Sequence, residues 1–416
     1  MHVPPEKPEQ AGSAPALEAS GPSAPLPSLL APPGPAIEAA PVAEVLLAVP
    51  FDIDVRLDFE WLARERGAVL PGPPLRGRNA PIVIDRRDGI PVGLPSRGLA
   101  AKAREEVWVY AFEVGLLIVR FRVGRELARL ADLVCDAERI EVGGRPIYAY
   151  SESRASEVLR ALGPYAVERY EVRFGERDVY PIVILPPGPD IEDAERFIEA
   201  NRAAIVGIVA GEDDWARLSA YALQKSGLTN LGYYVDELIL AKEWGALVSS
   251  SIEEGPIVGI VLLAYAQRWA LRSYNHLNNY RQDQVFKLLA QAKEVRTFRF
   301  ANVFAARTIR AIARRLFEAS EDRIALATAI RDFTSVPELT EDWHFHGLYG
   351  EISKTFYLGE LYRVVQTKNE ELERAYATVE DHLVQSRLAA LELYMLVLFL
   401  LETILLLVWF LSETRR

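Results

Sequence analysis

Residues 389–411 read AALELYMLVLFLLETILLLVWFL, a run of 23 that contains neither glycine nor proline. A helix that crosses the hydrocarbon core of a bilayer needs about 20 predominantly apolar residues, so the length fits. Fifteen residues of the run are Leu, Ile, Val or Phe. Together they favour insertion by about 5–9 kcal/mol, whereas the central Glu402 opposes it by about 3 kcal/mol. The run therefore predicts a transmembrane helix, with residues 412–416 as a short tail.

The ends of this run resemble those of a membrane helix. Glu392 lies one turn from the start, where its carboxylate can reach the interface, and Tyr394 and Trp409 stand where an aromatic belt is expected. The alternative is a central helix in a large soluble core, but the run has no polar face. We therefore expect a single-pass C-terminal anchor in contact with membrane lipid. Because residues 1–10 lack the pattern of a signal peptide, the bulk of the chain is expected in the cytoplasm.

The composition narrows the class of protein. The chain has 416 residues, of which 50% are hydrophobic, and this suffices for a packed core and two or three domains. Its net charge of −11 argues against nucleic acid as a partner, because phosphate binding needs a basic face. The single cysteine, Cys135, excludes an internal disulfide and a cysteine-rich zinc site, and it fits a reducing compartment.

Changes in composition and periodicity divide the rest of the chain. The sequence predicts a disordered arm rich in proline and alanine over 1–43, an α+β head domain over 44–187, a helical domain over 188–355 and an amphipathic stalk helix over 356–388. The head is expected to hold a mostly antiparallel sheet, and a proline cluster at 186–189 marks its end.

Two patterns support the prediction for the head. Residues 51–59 alternate between apolar and polar side chains, which is typical of a half-buried strand. Residues 107–123 form two apolar runs on either side of Glu113-Val114-Gly115. This arrangement predicts a hairpin in which Gly115 takes a positive φ in the turn.

Helical patterns dominate beyond residue 189. Asp190 and Asp213 each precede a helical stretch and are predicted to cap it. Further helices are predicted over 257–280, 300–317 and 322–334, the first of them a buried core helix. These patterns give the predicted second domain its helical character.

The stalk keeps a heptad repeat, which is typical of a coiled coil. Its two sets of core positions are Tyr362, Asn369, Tyr376, Leu383 and Ala390, and Leu358, Val365, Leu372, Val379 and Ser386. In a parallel pair of chains, Asn369 would fix the register, and Lys368 would face Glu373 of the other chain. The alternative is that these positions pack against helices of the same chain, which requires no second copy.

Glu402 suggests a second contact between chains. A carboxylate in the middle of a membrane is costly and is normally shielded by a partner or protonated. Across a symmetric helix pair, Glu402 could share a proton with its twin or accept a hydrogen bond from Thr403 of its neighbour. Glu402 and Glu392 are therefore candidate interaction residues, together with Lys368, Asn369 and Glu373 of the stalk.

His344 and His346 are weak candidates for a metal site. On a strand the two imidazoles would share a face, but other imidazole or thiol ligands are absent nearby in the sequence. Only carboxylates such as Glu351 could complete the ligand set. Motifs for phosphate binding, dinucleotide binding, nucleophilic serine and zinc hydrolysis are also absent. We therefore predict no catalytic residue, cofactor or metal.

The C-terminal third resembles the required-for-meiotic-nuclear-division family of anchored membrane proteins from bacteria and mitochondria. The matching residues are Trp343, Leu348-Tyr349, Lys368-Asn369, Leu372, Arg387, Leu391-Glu392 and Glu402. The hairpin at 107–121 resembles the aromatic-rich hairpin of that family. A further match, to a Ser-x-x-Ala-Leu-x-x-Ser helix, consists of Ser219, Ala222-Leu223 and Ser226.

The same family carries a glutamate after a pair of tyrosines. In this chain Tyr233-Tyr234 are followed by Val235-Asp236-Glu237, which displaces the acidic residue. The resemblance implies an α+β head, a helical middle and one C-terminal membrane helix. It also implies a link with organellar translation for mitochondrial members, and it supplies no activity for bacterial ones.

These observations favour a membrane-anchored, non-catalytic scaffold or regulatory protein that binds a cytoplasmic protein and self-associates through its stalk. The alternative is a membrane-bound enzyme with carboxylates and His344 or His346 in the helical domain. One deep pocket that gathers those side chains would favour the enzyme. A third interpretation makes the membrane helix itself the interaction site, with Glu402 as its polar contact.

Overall fold

The computed structural model describes residues 42–53, 55–66, 80–94, 100–169, 176–251, 254–297 and 342–414. Most of the predicted arm, up to residue 41, lies outside these ranges, as do the helices predicted over 300–317 and 322–334. The first strand of the described residues starts at Val42.

Nine strands of the described residues form one mixed sheet, in the order β10-β11-β9-β1-β5-β4-β3-β6-β7. They are β1 (Val42–Asp52), β3 (Ile82–Gly93), β4 (Ala100–Val109), β5 (Val114–Gly124), β6 (Glu141–Val142), β7 (Arg145–Pro146), β9 (Tyr180–Ile184), β10 (Leu238–Ala241) and β11 (Ala246–Ser249). Strands β9 and β11 run parallel, whereas the other neighbours run antiparallel. Two further strands, β2 (Val55–Leu57) and β8 (Ala166–Arg169), pair with each other.

Helices cover both faces of the sheet. They are α1 (Phe59–Arg66), α2 (Leu127–Cys135), α3 (Ile147–Leu162), α4 (Ala194–Ala210), α5 (Ala220–Lys225), α6 (Glu254–Thr297), α7 (Trp343–Thr355) and α8 (Leu358–Glu413). Because side chains alternate along a strand, Leu46 of β1 belongs to the core with α6, α7 and the start of α8, whereas Leu47 belongs to the core with α1–α4. The central strands are therefore apolar on both faces. The α+β class is confirmed.

The predicted hairpin is β4–β5, but its turn differs from the prediction. The residue with a positive φ is Glu113, at 68°, and Gly115 already lies in β5. Gly115 is required for a different reason: a Cβ there would lie 2.2 Å from Cζ of Phe51 on the paired strand β1. The glycine thus makes room for an aromatic ring that crosses the strand.

The single strand predicted over 51–59 is wrong. Strand β1 ends at Asp52, the short β2 pairs with β8, and α1 starts at Phe59. The Asp58 carboxylate accepts a hydrogen bond from Trp61 N at 2.9 Å, which satisfies a free N–H of the first helical turn. A helix cap therefore ends the alternating pattern.

The predicted caps at Asp190 and Asp213 are also wrong. Asp193 caps α4 by accepting from Arg196 N, and Ser219 caps α5 by accepting from Ala222 N. Asp190 instead pairs with Arg125, with 2.8 Å between Oδ1 and the guanidinium nitrogen. Near a helix start, several Asp and Ser residues fit the capping pattern, and the hydrogen bond selects one of them.

The region predicted as a helical domain, 188–355, contributes two strands to the sheet. Strands β10 and β11 are short and buried throughout, and β11 lies beside β9 of the predicted head. A short apolar run cannot be assigned to strand or helix by periodicity alone, which explains why these strands were not predicted. Residues on both sides of the proline cluster therefore share one sheet.

Helices α6 and α8 pack side by side and run in the same direction. Asn278 Nδ2 donates to Asn369 Oδ1 at 3.0 Å, and Gln282 Nε2 donates to Glu371 Oε2 at 3.1 Å. Val365 of the predicted heptad lies in the core cluster that contains much of α6. In this part of the stalk, the alternative of packing within the chain is therefore the one observed.

Helix α8 continues without a break from the body of the protein to the apolar C-terminal run. It contains 56 residues, which corresponds to about 84 Å at 1.5 Å per residue. Residues Leu391–Glu413 form a stretch of 23 with mean hydropathy 2.5, none of it buried. The predicted C-terminal helix is thus present and is long and apolar enough to span a membrane.

Candidate functional site

A short loop before β10 is closed by one asparagine side chain. Asn230 Oδ1 accepts hydrogen bonds from Gly232 N at 3.1 Å and from Ile239 N at 2.9 Å, and its Nδ2 donates to Glu237 O at 2.8 Å. A Cβ on Gly232 would lie 2.3 Å from the carbonyl oxygen of Glu237, so the backbone approaches too closely for any side chain there. These contacts fix the shape of the loop 230–237.

Glu237 anchors this loop to the interior of the protein. Its side chain is almost fully enclosed, with 4% of the residue exposed. Oε2 accepts from Tyr233 N at 2.8 Å, and Oε1 accepts from Ser250 Oγ at 3.2 Å. A buried carboxylate needs such donors, because burial without them is costly. The contacts orient Tyr233 and Tyr234 at the end of the loop.

Helix α7 begins against this loop. Asp342 caps the helix by accepting from His344 N at 2.9 Å. Nε2 of His344 lies 3.8 Å from Oε2 of Glu237, which is too far for a hydrogen bond. His344 thus joins the first turn of α7 to the loop, and it brings Trp343 next to Tyr233.

Tyr233, Tyr234 and Trp343 form a cluster of exposed rings, here named the aromatic patch. Tyr233 meets Tyr234 edge to face at 5.2 Å between ring centroids, and it meets Trp343 edge to face at 4.9 Å. The three residues are 55%, 49% and 68% exposed. Large aromatic side chains normally bury most of their surface, so a cluster of open rings is typical of an interaction site.

His346 lies apart from His344. Both residues lie on a helix rather than a strand. On a helix, side chains that are two residues apart point to different sides. His346 lines a cavity of about 550 Å³ with Gln267, Tyr349 and Tyr362, whereas His344 faces Glu237. The expectation that both imidazoles share a face is wrong, and the described residues contain no group of three or more His, Cys, Asp or Glu suited to a metal ion.

A second cavity, of about 640 Å³, opens between the end of β5 and the start of α4. Arg125, Asp190, Asp193 and Arg196 are among the residues that line it. It contains neither histidine of the predicted pair. Of the residues named for an enzymatic site, His346 and Glu351 line the cavity of about 550 Å³, whereas His344 lies apart beside Glu237.

The stalk residues predicted to contact a second chain are mostly engaged within this one. Lys368 Nζ donates to Asn275 Oδ1 and to Asn279 Oδ1, each at 2.6 Å. Asn369 accepts from Asn278. Glu373 lies one turn further along, on an exposed part of α8.

The apolar end of α8 contains Glu392 and Glu402, both exposed. The Thr403 hydroxyl, predicted to serve a neighbouring helix, donates to Phe399 O of its own helix at 2.7 Å. This bond satisfies the hydroxyl without a second chain. Proton sharing between two copies of Glu402 stays a prediction.

In the sequence the two tyrosines of this loop stand out only through the family resemblance, and no site is predicted there. The available signal was a pair of tyrosines followed by two acidic residues, in a stretch that contains Gly227, Asn230 and Gly232. The sequence did not show that α7 places Trp343 next to Tyr233. No family model matches the chain, and comparisons with curated proteins and with solved structures give no match either.

Proposed function

We propose that this chain is a membrane-anchored, non-catalytic scaffold or regulatory protein that holds a cytoplasmic protein partner at its aromatic patch. The observation that carries the proposal is the continuity of α8. One helix has its first turns in the core of the α+β body and its last 23 residues as an exposed apolar run. The body and the proposed membrane span are therefore connected by one continuous helix.

This continuity gives the proposed anchor a fixed geometry. Among the side chains of α8 that the structure describes, Leu372 is the last one buried in the body, and the apolar run starts at Leu391. The 19 residue steps from Leu372 to Leu391 correspond to about 28 Å of helix, and residues 373–390 contain no glycine or proline to form a hinge. A partner bound to the body would therefore be held at a defined height above the bilayer.

The aromatic patch supports binding rather than catalysis. Its rings are open to solvent but are positioned by a buried carboxylate and a capped helix, so little conformational freedom would be lost on contact. Tyr and Trp side chains on rigid supports are common at the centres of protein interfaces. The separation of His344 from His346 also favours the scaffold over the enzyme.

Two further expectations belong to this proposal. Membership of the required-for-meiotic-nuclear-division family would account for a body followed by a single C-terminal membrane helix. Self-association is proposed for the stalk beyond Leu372, where the heptad continues through Val379 and Leu383. Before that point α6 covers the core positions.

The proposal is tested by placing a photo-crosslinking amino acid at Trp343 of the full chain in its native membranes. Tyr221, which is 70% exposed and lies outside the patch, is the control position. We expect a discrete crosslinked protein from position 343 that is absent from position 221. It should disappear in Tyr233→Ser and in a chain that ends at Ser386.

Two results would contradict the proposal. The same crosslinked species from both positions would show non-specific proximity at the membrane surface. A discrete crosslink that survives both Tyr233→Ser and removal of the apolar run would show that neither the patch nor the anchor is needed for the contact.

A further inference from the structure

The aromatic patch exposes the surfaces of separate rings and does not form an apolar groove. Its ring pairs meet at interplanar angles of 89° and 85°, so each contact is edge to face and the rings are not stacked upon one another. Each residue keeps about half or more of its surface open. The face of an aromatic ring is negative, and it attracts a cation placed above it.

The segments that build the patch are acidic. The loop and first strand over 226–241, the strand over 246–251 and the start of α7 over 342–346 contain no lysine or arginine; the flanking Lys242 donates from Nζ to Ser226 O at the start of the loop, away from the rings. Their charged residues are Asp236, Glu237 and Asp342. Asp236 accepts from Ser251 Oγ at 3.0 Å and is exposed next to the tyrosines. The electrostatic potential of the patch therefore favours a positive group.

The start of a helix would normally oppose a cation, because the helix dipole is positive at that end. In α7 that end is occupied by the carboxylate of Asp342, which caps the helix. Glu237 adds a second carboxylate below the rings, held by Tyr233 N and Ser250 Oγ. The dipole is thus offset, and two independent features, the ring faces and the carboxylates, favour the same sign of ligand.

From this charge complementarity, and resting on the proposed function, we infer that the aromatic patch binds an arginine side chain of the protein partner. A guanidinium is planar, so it stacks on Tyr and Trp faces while its N–H groups reach a carboxylate such as Asp236. It is also more weakly hydrated than a lysine ammonium, so it loses less on contact with rings. Trp343 and Tyr233 would supply the faces, and Glu237 acts as a positioning residue beneath them.

The test uses the full chain, labelled with 5-fluorotryptophan and reconstituted in lipid nanodiscs. The chain contains seven tryptophans, so the resonance of Trp343 is identified by its loss in Trp343→Phe. The probes are three tripeptide amides, acetyl-Gly-Xaa-Gly-amide, in which Xaa is arginine, its uncharged isostere citrulline, or leucine. Trp244, which is 56% exposed and lies outside the patch, is an internal control.

We expect the arginine peptide to shift the Trp343 resonance in a saturable manner while the Trp244 resonance stays in place. The citrulline peptide should bind about tenfold more weakly, because it lacks the charge that both the rings and the carboxylates attract. The double variant Asp236→Asn/Asp342→Asn keeps hydrogen-bonding groups and the helix cap, and it should weaken arginine binding by a similar factor.

A shift of Trp343 that is equal for arginine and citrulline, or larger for leucine, would overturn the inference. So would the absence of any shift with the arginine peptide. These results would leave the proposed function intact if position 343 still gave its discrete crosslink in membranes. Loss of that crosslink, in contrast, would remove the proposed function together with the inference.

Discussion

Nε of Arg154 donates to Oε1 of Glu105 over 2.6 Å, and both side chains are closed off from solvent. Arg154 lies on α3 and Glu105 on the sheet strand β4, so the pair fixes the helix to the sheet. Arg154 also donates to Asp85 Oδ2 at 2.7 Å on the neighbouring strand β3, and Tyr150 donates to the second oxygen of Glu105. Four polar side chains thus meet under one helix.

This arrangement predicts a large effect for Arg154→Met. The change leaves Glu105 buried with an uncompensated charge, and removing one member of such a pair typically costs about 3–5 kcal/mol. Thermal unfolding of the purified chain in detergent measures the loss. The control is Arg177→Met, which breaks an exposed pair with Glu152 and should cost less than about 1 kcal/mol. Equal losses in the two variants would refute a stabilising role for the buried pair.

The contact between Gly115 and Phe51 gives a second prediction. Gly115→Ala places a methyl group against the Phe51 ring and should lower the free energy of unfolding by about 1–3 kcal/mol. Gly124→Ala, at the end of the same strand with open space around it, is the matched control. In a chain that already carries Phe51→Ala, Gly115→Ala should cost little more free energy of unfolding than Gly124→Ala does. If the losses caused by Gly115→Ala and Phe51→Ala simply add in the double variant, the proposed clash is contradicted.

Cys135 is predicted to be an unreactive thiol in the folded protein. Burial raises its pKa to about 12, assisted by the nearby carboxylates of Asp213, Asp132 and Asp136. A raised pKa means less thiolate, which is the form that reacts. At about pH 8, alkylation by iodoacetamide should therefore be slower by about a hundredfold or more in the folded chain than in concentrated urea. Similar rates in the two states would contradict the burial of the sulfur.

Glu402 is predicted to affect assembly more than insertion. The apolar residues around it favour insertion by more than one carboxylate opposes it, so Glu402→Leu should leave membrane integration unchanged. If Glu402 is shielded by its twin, the same variant should shift the chain to a smaller oligomer in mild detergent. Glu392→Leu, near the interface, is the control. An oligomer size that is the same in all three chains would exclude Glu402 as an assembly contact.

The parts of the fold that the sequence predicted correctly are those with strong, long patterns. The core helix α6 and the apolar end of α8 have apolar runs of ten residues or more, and the hairpin β4–β5 has two apolar runs of six on either side of Glu113, so local periodicity and packing agree in all three. The α+β class follows from them.

Three of the errors have a common physical origin in contacts between distant segments, whereas the errors at 51–59 and at the helix caps are local. Periodicity cannot show that β11 lies beside β9, because that pairing joins residues on either side of a proline cluster. Likewise, the heptad of the stalk is compatible with a second chain or with α6, and Asn278 decides the outcome by bonding to Asn369. The aromatic patch was not predicted for the same reason, because Trp343 contacts Tyr233 only once the chain has folded.

Membrane fractionation tests most directly whether the α+β body is held at a bilayer by the end of α8. The full chain is compared with a chain that ends at Ser386, each expressed in the same cells and extracted with alkaline carbonate. We expect the full chain to stay in the membrane pellet and to be released only by detergent, whereas the shortened chain should be soluble. A full chain that leaves the membrane in carbonate and runs as a monodisperse species without detergent would contradict this expectation.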